Sequence, residues 1–238
     1  MTKNKSAILD RPSKDIKPLH RVLTMIAEDL DAFCNRHEIT YYLMGGTALG
    51  AVRHAGFIPW DDDFDIFMDR ENYLKFLSVC ELSLDRQKYY LQREDTYEWP
   101  LLFSKIRLNN TVYVERTEEI GKIHTGIYVD IMCLHNAYSN PALRYLQYLA
   151  ARIVTSIALS RRGYNTSSRT KRFILAVASV LGRTPIRSLL LKFVRSLDGR
   201  DSEIVGHFFG RARFSKTSFP RHFLGKPRRI PFEATTFP

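Results

Sequence analysis

The 238-residue sequence has few of the features that cross-link small secreted proteins or anchor a chain in a bilayer. Cys34, Cys80 and Cys133 are odd in number and far apart, which fits neither a disulfide framework nor paired zinc ligands. No segment offers about 20 uninterrupted apolar residues for a membrane span, and the polar amino terminus lacks the apolar run of a signal peptide. We therefore expect reduced, buried cysteines and a cytoplasmic protein.

Acidic residues are scarce in the second half of the chain. Of the 36 Lys and Arg and the 25 Asp and Glu, 19 and 4 respectively lie from Ser139 onward, so the net charge of +11 divides into +15 there and −4 before it. A solvated surface explains this asymmetry, and so does a polyanionic partner or the anionic cytoplasmic face of a membrane.

Hydrophobic spacing predicts an α/β (α+β) protein in which a mixed sheet with flanking helices precedes a helical second half. Helices are predicted over 19–36, 47–54 and 70–80, and strands over 39–44, 64–68, 89–93, 101–107 and 126–134, with 112–115 as a further candidate. Three basic helices follow residue 141. The predicted divisions are a polar leader (1–18), an α/β core (19–138) and a basic helical subdomain with its tail (139–238).

A glycine pair between the first predicted strand and the next helix is suited to phosphate binding. Without Cβ atoms, Gly45 and Gly46 let backbone N–H groups and the helix amino terminus face a phosphate, and Thr47 can cap the helix or add a hydroxyl donor. A plain tight turn is the alternative interpretation, because Gly-Gly turns are common.

Four carboxylates lie within five positions in the segment WDDDFDIFM, which begins at Trp60. Asp63 and Asp65 are two apart on a predicted strand, so both leave the same face and can share a hard divalent cation. Partial burial of such a cluster is costly unless a cation neutralises it, whereas a fully solvated acidic turn needs none. The apolar residues that interleave with the acids favour partial burial and metal binding.

Asp130 is the single acid in the apolar run GIYVDIMCL. A carboxylate in the middle of a buried strand destabilises the fold unless it faces a compensating group. We therefore predict that Asp63, Asp65 and Asp130 form one catalytic site that holds Mg²⁺ or Mn²⁺ for in-line phosphoryl chemistry.

These residues resemble a known family. The glycine turn, the Asp-hydrophobic-Asp strand and a later Asp are similar to the polymerase-β type of nucleotidyltransferase, and GGTALGAVRHAGFIPWDDDFDIFM resembles the hallmark of the LicD family, which includes bacterial phosphocholine transferases and fukutin-related proteins. LLFSKIRLNNT, GIYVDIMCL and, more weakly, RRIPFEATTFP extend the resemblance. His135 stands where the family commonly has a second acid.

The resemblance implies a nucleotidyltransferase-like catalytic core over 19–138. It further implies transfer of phosphocholine or a polyol phosphate from a CDP-activated donor to a sugar hydroxyl of a cell-surface glycan, of lipopolysaccharide, teichoic acid or capsule type, or of its lipid-linked precursor. The basic half would then contact the inner face of the membrane peripherally. Two alternatives stay open: a nucleotidyltransferase that releases pyrophosphate, and an inactive protein that binds nucleic acid or acts as a partner subunit. Nucleic acid is the less expected partner.

Three further side chains are candidates for substrate contacts. Arg53 follows the glycine turn and is expected to reach donor phosphates, although a surface arginine is the alternative. Lys105 is expected to point from its strand into the phosphate site, unless it is an edge-strand lysine. Trp60 is interpreted as anchoring its loop in the core, with stacking on a ligand as the alternative.

Overall fold

The computed structural model describes residues 15–113, 123–162, 166, 168–182 and 185–238. The helices are α1 (Lys17–Arg36), α2 (Gly45–His54), α3 (Arg70–Ser83), α4 (Pro141–Arg161), α5 (Arg169–Leu181) and α6 (Ile186–Val194). The strands are β1 (Tyr42–Leu43), β2 (Asp65–Asp69), β3 (Tyr89–Gln92), β4 (Ser104–Leu108), β5 (Tyr128–Ala137), β6 (Ile204–Gly206), β7 (Ser218–Pro220), β8 (Ile230–Phe232) and β9 (Thr235–Phe237). The predicted α/β class, with a mixed sheet and helices after it, is confirmed.

The periodicity of α1 explains its position against the sheet. Leu23, Ile26, Leu30 and Cys34 recur at helical spacing and are all buried, which confirms the helix predicted over 19–36. Cys80 and Cys133 are buried as well, and none of the three thiols forms a disulfide.

The central sheet is mixed, with the strand order β1-β2-β5-β4-β3. Among the described strands, β2 and β5 form the one parallel pair, and every other pairing is antiparallel. Nine of the ten residues of β5 are buried, as its apolar composition predicts for a central strand. Because a parallel pair needs a crossover, α3, β3 and β4 lie between β2 and β5 in the chain.

The second half of the chain builds on the far end of β5. There β6 pairs with His135 to Ala137, and β7 pairs with β6. The helices α4 and α6 bury a second apolar cluster that includes Ala151, Val154 and Val194. The side chain of Asn140 caps the amino terminus of α4 by accepting hydrogen bonds from the amides of Ala142 and Leu143.

The β8–β9 hairpin returns to the first core. Phe232 and Phe237 are fully buried and belong to the same apolar cluster as Phe64 and α1. The proposed division of the chain after Tyr138 stays a prediction, and most of the proposed leader, residues 1–14, lies outside the described residues.

Two local predictions need correction. The strand predicted over 39–44 is reduced to Tyr42–Leu43, because only these residues pair with β2. Val112 and Tyr113, at the start of the candidate strand 112–115, have no strand pairing, and residues 114–115 lie outside the described part of the chain.

Candidate active site

The register of the sheet brings the predicted carboxylates together. Asp65, at the start of β2, lies directly opposite Asp130 of β5, so the two side chains share one face of the sheet. Asp63 lies just before β2, and the side chain of Phe64, between Asp63 and Asp65 in the chain, is buried. The amide of Asp130 donates to the carbonyl oxygen of Phe64 at 3.0 Å, which ties the start of β2 to β5.

Burial and the neighbouring negative charges raise the pKa values of Asp63 and Asp65. Burial, followed by the negative charges of Asp61 and Asp130, raises the pKa of Asp63 to about 6. Burial and the charges of Asp130 and Asp63 raise the pKa of Asp65, and the ammonium of Lys105 opposes this shift. In the absence of a cation, the arrangement is therefore unfavourable for three simultaneously ionised carboxylates.

Lys105 brings a positive charge to the carboxylates. Its partner in the register of β4 is Asp130, and its Nζ atom lies 3.0 Å from Oδ1 of that aspartate. The side chain is only 2% exposed, and Nζ lies 3.1 Å from the ring centroid of Tyr128 and 5.2 Å from that of Trp99. The ion pair and the two ring faces stabilise a buried ammonium. The edge-strand alternative is wrong, because β4 lies between β3 and β5.

The glycine turn lies against the carboxylates. Gly45 has φ +56°, which only glycine adopts without strain, and a Cβ atom there would lie 3.6 Å from Oδ2 of Asp65. A Cβ atom on Gly46 would lie 2.3 Å from Oδ2 of Asp61. The first-turn amides of α2, which have no acceptor within the helix itself, thus begin beside the acidic cluster.

Thr47 has a different local role from the one predicted. The helix α2 begins at Gly45 with Met44 as its N-cap, so Thr47 is not the cap. Its hydroxyl oxygen accepts a hydrogen bond from the amide of Asp65 at 2.8 Å, and its side chain is buried. Thr47 therefore positions the first residue of β2, and its predicted contact with substrate stays a prediction.

Replacing Gly45 by alanine should destabilise the fold by about 1–2 kcal/mol, because the Cβ atom of alanine makes the left-handed conformation unfavourable. Gly199→Ala is a matched control, since Gly199 has φ +77° and open space around it, away from the carboxylates. We expect urea unfolding to give similar losses for both variants, and catalytic turnover to fall only for Gly45→Ala. Unchanged stability of Gly45→Ala would contradict the conformational assignment.

The acidic loop contributes two residues that the sequence-based site omitted. Carboxylate oxygens of Asp61, Asp62 and Asp63 all lie within 4.8 Å of one another, a spacing compatible with a shared cation. The hydroxyl of Tyr113 donates to Oδ2 of Asp62 at 2.5 Å. The unbroken run of acids from Asp61 was the signal for this extension of the site.

The interpretation of Trp60 as a core anchor is wrong. Its side chain is 79% exposed, directly before the acidic run. Trp60 lies on the outside of a backbone turn. The amide of Asp61 closes this turn by donating a hydrogen bond to the carbonyl oxygen of Ile58. Arg53 is also exposed, in the last turn of α2, and its contact with donor phosphates stays a prediction.

The carboxyl-terminal hairpin supports the loop that leads to the acids. Glu233 accepts a hydrogen bond from the amide of Phe57 at 3.1 Å, and its own amide donates to the carbonyl of Ala55 at 2.7 Å. The ring of Phe232 meets those of Phe57 and Phe64 edge-on, with centroid distances of 4.8 and 5.3 Å. Phe232 and Glu233 therefore position the site from the other end of the chain.

His135 lies away from the carboxylates. It follows Asp130 by five residues on β5, so it is about 16 Å further along the strand and on the opposite face. Its ring is fully buried, with Nδ1 3.5 Å from Oδ1 of Asp198, and burial lowers the pKa of the imidazole. Nε of Arg70 lies 2.7 Å from the other oxygen of Asp198. This cluster joins β5 to the segment after α6.

The segment that contains most of the candidate site matches a known protein family. Residues 38–128 match the family described as LicD/FKTN/FKRP, nucleotidyltransferase domain. This segment contains the glycine turn, the acidic loop, β2 and Lys105, and it ends two residues before Asp130. The resemblance to the LicD family is confirmed for this segment.

Curated relatives align with a shorter stretch. A protein of Haemophilus influenzae named lipopolysaccharide cholinephosphotransferase LicD is 52% identical over 54 residues, which are 23% of this chain and 20% of the relative. Uncharacterized proteins of Rickettsia typhi and Rickettsia prowazekii are 39% and 42% identical over 57 residues, 24% of this chain and 18% and 21% of the relatives. The alignments thus span about a fifth of each relative.

Proposed function

We propose that this chain, whose residues 38–128 match the LicD-family nucleotidyltransferase domain, is a metal-dependent phosphotransferase. The observation that carries the proposal is the row of side chains across three strands, Asp65, Asp130 and Lys105, beside the glycine turn. A relative's name, lipopolysaccharide cholinephosphotransferase, supports a phosphocholine-type group and a glycan acceptor.

The carboxylates fit a hard divalent cation. Oδ1 of Asp65 is buried and has no hydrogen-bond partner among the described residues, which is costly for a carboxylate oxygen unless a further ligand reaches it. Asp63, Asp65 and Asp130 would hold Mg²⁺ or Mn²⁺, with Asp61 and Asp62 as neighbouring oxygen donors. Such a cation supplies charge neutralisation for the diphosphate of the donor and lowers the pKa of the acceptor hydroxyl.

The other residues of the site bind and orient. The first-turn amides of α2, beginning at Gly45 and Gly46, donate to phosphate oxygens of the donor, and Arg53 adds a positive charge at the end of that helix. Lys105 fixes the position of the Asp130 carboxylate and favours its ionised form.

The reaction is an in-line displacement at phosphorus. A sugar hydroxyl oxygen bonds to the phosphorus of the transferred group, and the bond from that phosphorus to the bridging oxygen of the CDP ester breaks. The bridging oxygen leaves with CMP, and the hydroxyl proton passes to the carboxylate cluster and on to solvent. The transferred group is phosphocholine or a polyol phosphate, and the acceptor is a glycan of lipopolysaccharide, teichoic acid or capsule type, or its lipid-linked precursor.

The proposed site of action is the cytoplasm, with peripheral contact to the inner face of the membrane. The net charge of +15 from Ser139 onward supports contact with anionic lipid or an anionic glycan precursor.

The proposal is tested by incubating the protein with a glycan acceptor, Mg²⁺ or Mn²⁺, and each of CDP-choline, CDP-ethanolamine, CDP-ribitol and CDP-glycerol. We expect at least one donor to release CMP in proportion to the phosphorus that appears on the acceptor, and EDTA to stop the release. Parallel reactions with nucleoside triphosphates measure pyrophosphate.

Each alternative predicts a different outcome. Pyrophosphate release from a triphosphate without CMP release from any ester would replace the proposal by nucleotidyl transfer. Absence of both activities, together with nucleic-acid binding that weakens steeply with salt and survives Asp63→Ala and Asp65→Ala, would replace it by a binding role.

A further inference from the structure

The helical part of the second half contains no acidic residue. Between Ser139 and Leu197 the sequence has 11 Lys and Arg and no Asp or Glu. The positive charge of the second half is therefore concentrated on α4, α5, α6 and their connections, without acids of their own to neutralise it.

Large apolar side chains accompany this charge at the surface. On α5, Phe173 is 71% exposed and Val180 is 62% exposed, and Val177 between them is also exposed. These three residues recur at intervals of four and three, which places them on one face of the helix. In this fully described helix, Ala178 is the one buried residue. On α6, Ile186 and Leu189 are exposed as well.

Two arginines of α5 flank the apolar face, because Arg169 is four residues and Arg172 one residue before Phe173. Arg169, Lys171 and Arg172 are exposed in the first turn of α5, and Lys192 is exposed in α6. An apolar face flanked by lysine and arginine is the composition of helices that lie in the interface of an anionic bilayer, where the apolar side chains enter the acyl region and the cations meet lipid phosphates.

The geometry of α5 and α6 favours lying on a bilayer. Among the described residues, no single helix is long and apolar enough to cross a membrane. Together, α5 and α6 have the length and composition of a span, but they meet at an angle of 100°. A span needs about 20 residues of continuous helix, whereas two short helices at a right angle can both rest at an interface.

We propose that α5 and α6 form a docking surface for an anionic lipid bilayer, centred on Phe173, Val177 and Val180 with Arg169 and Arg172 at its edge. Anionic lipid matches both the exposed apolar area and the positive charge that flanks it. A second copy of the chain would bring like charges together, and nucleic acid would leave the apolar face without a partner. The role of this surface rests on the proposed function, because docking would bring the candidate active site to a membrane-borne acceptor.

The experiment is sedimentation of the full chain with phosphatidylcholine vesicles that contain or lack phosphatidylglycerol. We expect binding only when phosphatidylglycerol is present, and release of the protein by high salt. Phe173→Ser/Val180→Ser removes the apolar side chains and Arg169→Glu/Arg172→Glu reverses the flanking charges. Each pair should weaken binding at least about tenfold, and for the arginines this follows because each basic residue near an anionic surface contributes about fivefold.

Matched controls separate the docking surface from general surface properties. Leu82→Ser/Phe223→Ser removes two exposed apolar side chains elsewhere, and Lys226→Glu/Arg228→Glu reverses two exposed charges elsewhere. Both should bind as the unmodified protein does, and circular dichroism should confirm that all variants are folded.

Three outcomes would overturn the inference: equal weakening by the control pairs, binding to phosphatidylcholine alone that resists salt, or a dimer in light scattering that the Phe173→Ser/Val180→Ser variant dissolves. CMP release from a soluble donor in the absence of vesicles should be unchanged in both α5 variants. Vesicle binding without any CMP release would leave the docking surface standing and reject the proposed function.

Discussion

Asp65→Asn should reduce CMP release by at least about 100-fold. Loss of a residue that only supports a metal ligand typically costs 10–100-fold, and Asp65 is proposed as a ligand itself. The amide retains the shape of the side chain and the backbone pairing with Asp130, but it removes the charge that would hold the cation. Single-turnover measurements with the best donor, at saturating Mg²⁺ or Mn²⁺, would quantify the loss.

The same substitution should stabilise the metal-free protein. Burial and the charges of Asp130 and Asp63 raise the folded-state pKa of Asp65 above the unfolded value of about 3.9. A raised carboxyl pKa means that the unfolded state loses its proton first as the pH rises, so the folded state is penalised increasingly above that value. In EDTA, Asp65→Asn should therefore exceed the unmodified protein in Tm at pH 8, and the difference should shrink toward pH 4.

The control for both effects is Asp201→Asn, which removes an exposed carboxylate outside the site. It should change neither turnover nor the pH dependence of Tm. Metal addition should raise the Tm of the unmodified protein and of Asp201→Asn but not that of Asp65→Asn, because a ligand that binds only the folded state stabilises it. Full activity of Asp65→Asn would remove this residue from the proposed site.

Phe232→Ala should lower the free energy of unfolding by about 3–5 kcal/mol. The ring is fully buried and meets Phe57, Phe64 and Phe237 at centroid distances of 4.8, 5.3 and 5.7 Å. Truncation to alanine leaves a cavity among these three rings. The backbone around the rings is held by strands and by the loop after α2, so the neighbouring side chains cannot easily fill the cavity. Urea unfolding followed by circular dichroism measures the loss.

Phe223→Ala is the control for this truncation, because its side chain is 68% exposed and its loss should cost no more than about 0.5 kcal/mol. Phe232→Ala should also lower turnover, since Phe232 packs on the residues that flank the acidic loop. Similar stabilities of the two variants would mean that the β8–β9 hairpin is not part of the folded core.

The proximity of Asp65 and Asp130 in the candidate site was predictable from sequence, because acidic residues conflict with apolar surroundings. A lone acid in the apolar β5 run and a dense acidic run beside apolar residues both require a compensating partner, and sheet register places Asp65 opposite Asp130. Helix periodicity was equally informative, since α1 buries the residues expected from its spacing.

The incorrect sequence-based predictions concern residues whose types are compatible with more than one local structure. Thr47 is a good N-cap by type, but the left-handed Gly45 lets the helix begin two residues earlier and leaves the hydroxyl to bond with Asp65. Trp60 is apolar by type, but a tight turn holds it outside. The pairing of β6 with β5 depends on contacts between residues about 70 positions apart, which no local pattern specifies.

The parallel pairing of β2 and β5 has a consequence for how activity develops during folding. Asp65 and Asp130 meet only after the intervening α3, β3 and β4 have been accommodated, so their contact is among those that close the longest loops of the sheet. Contacts of this kind form slowly compared with helices. A refolding chain should therefore regain its helical signal before it can bind a cation, and a newly synthesised chain has no functional centre until β5 is in place.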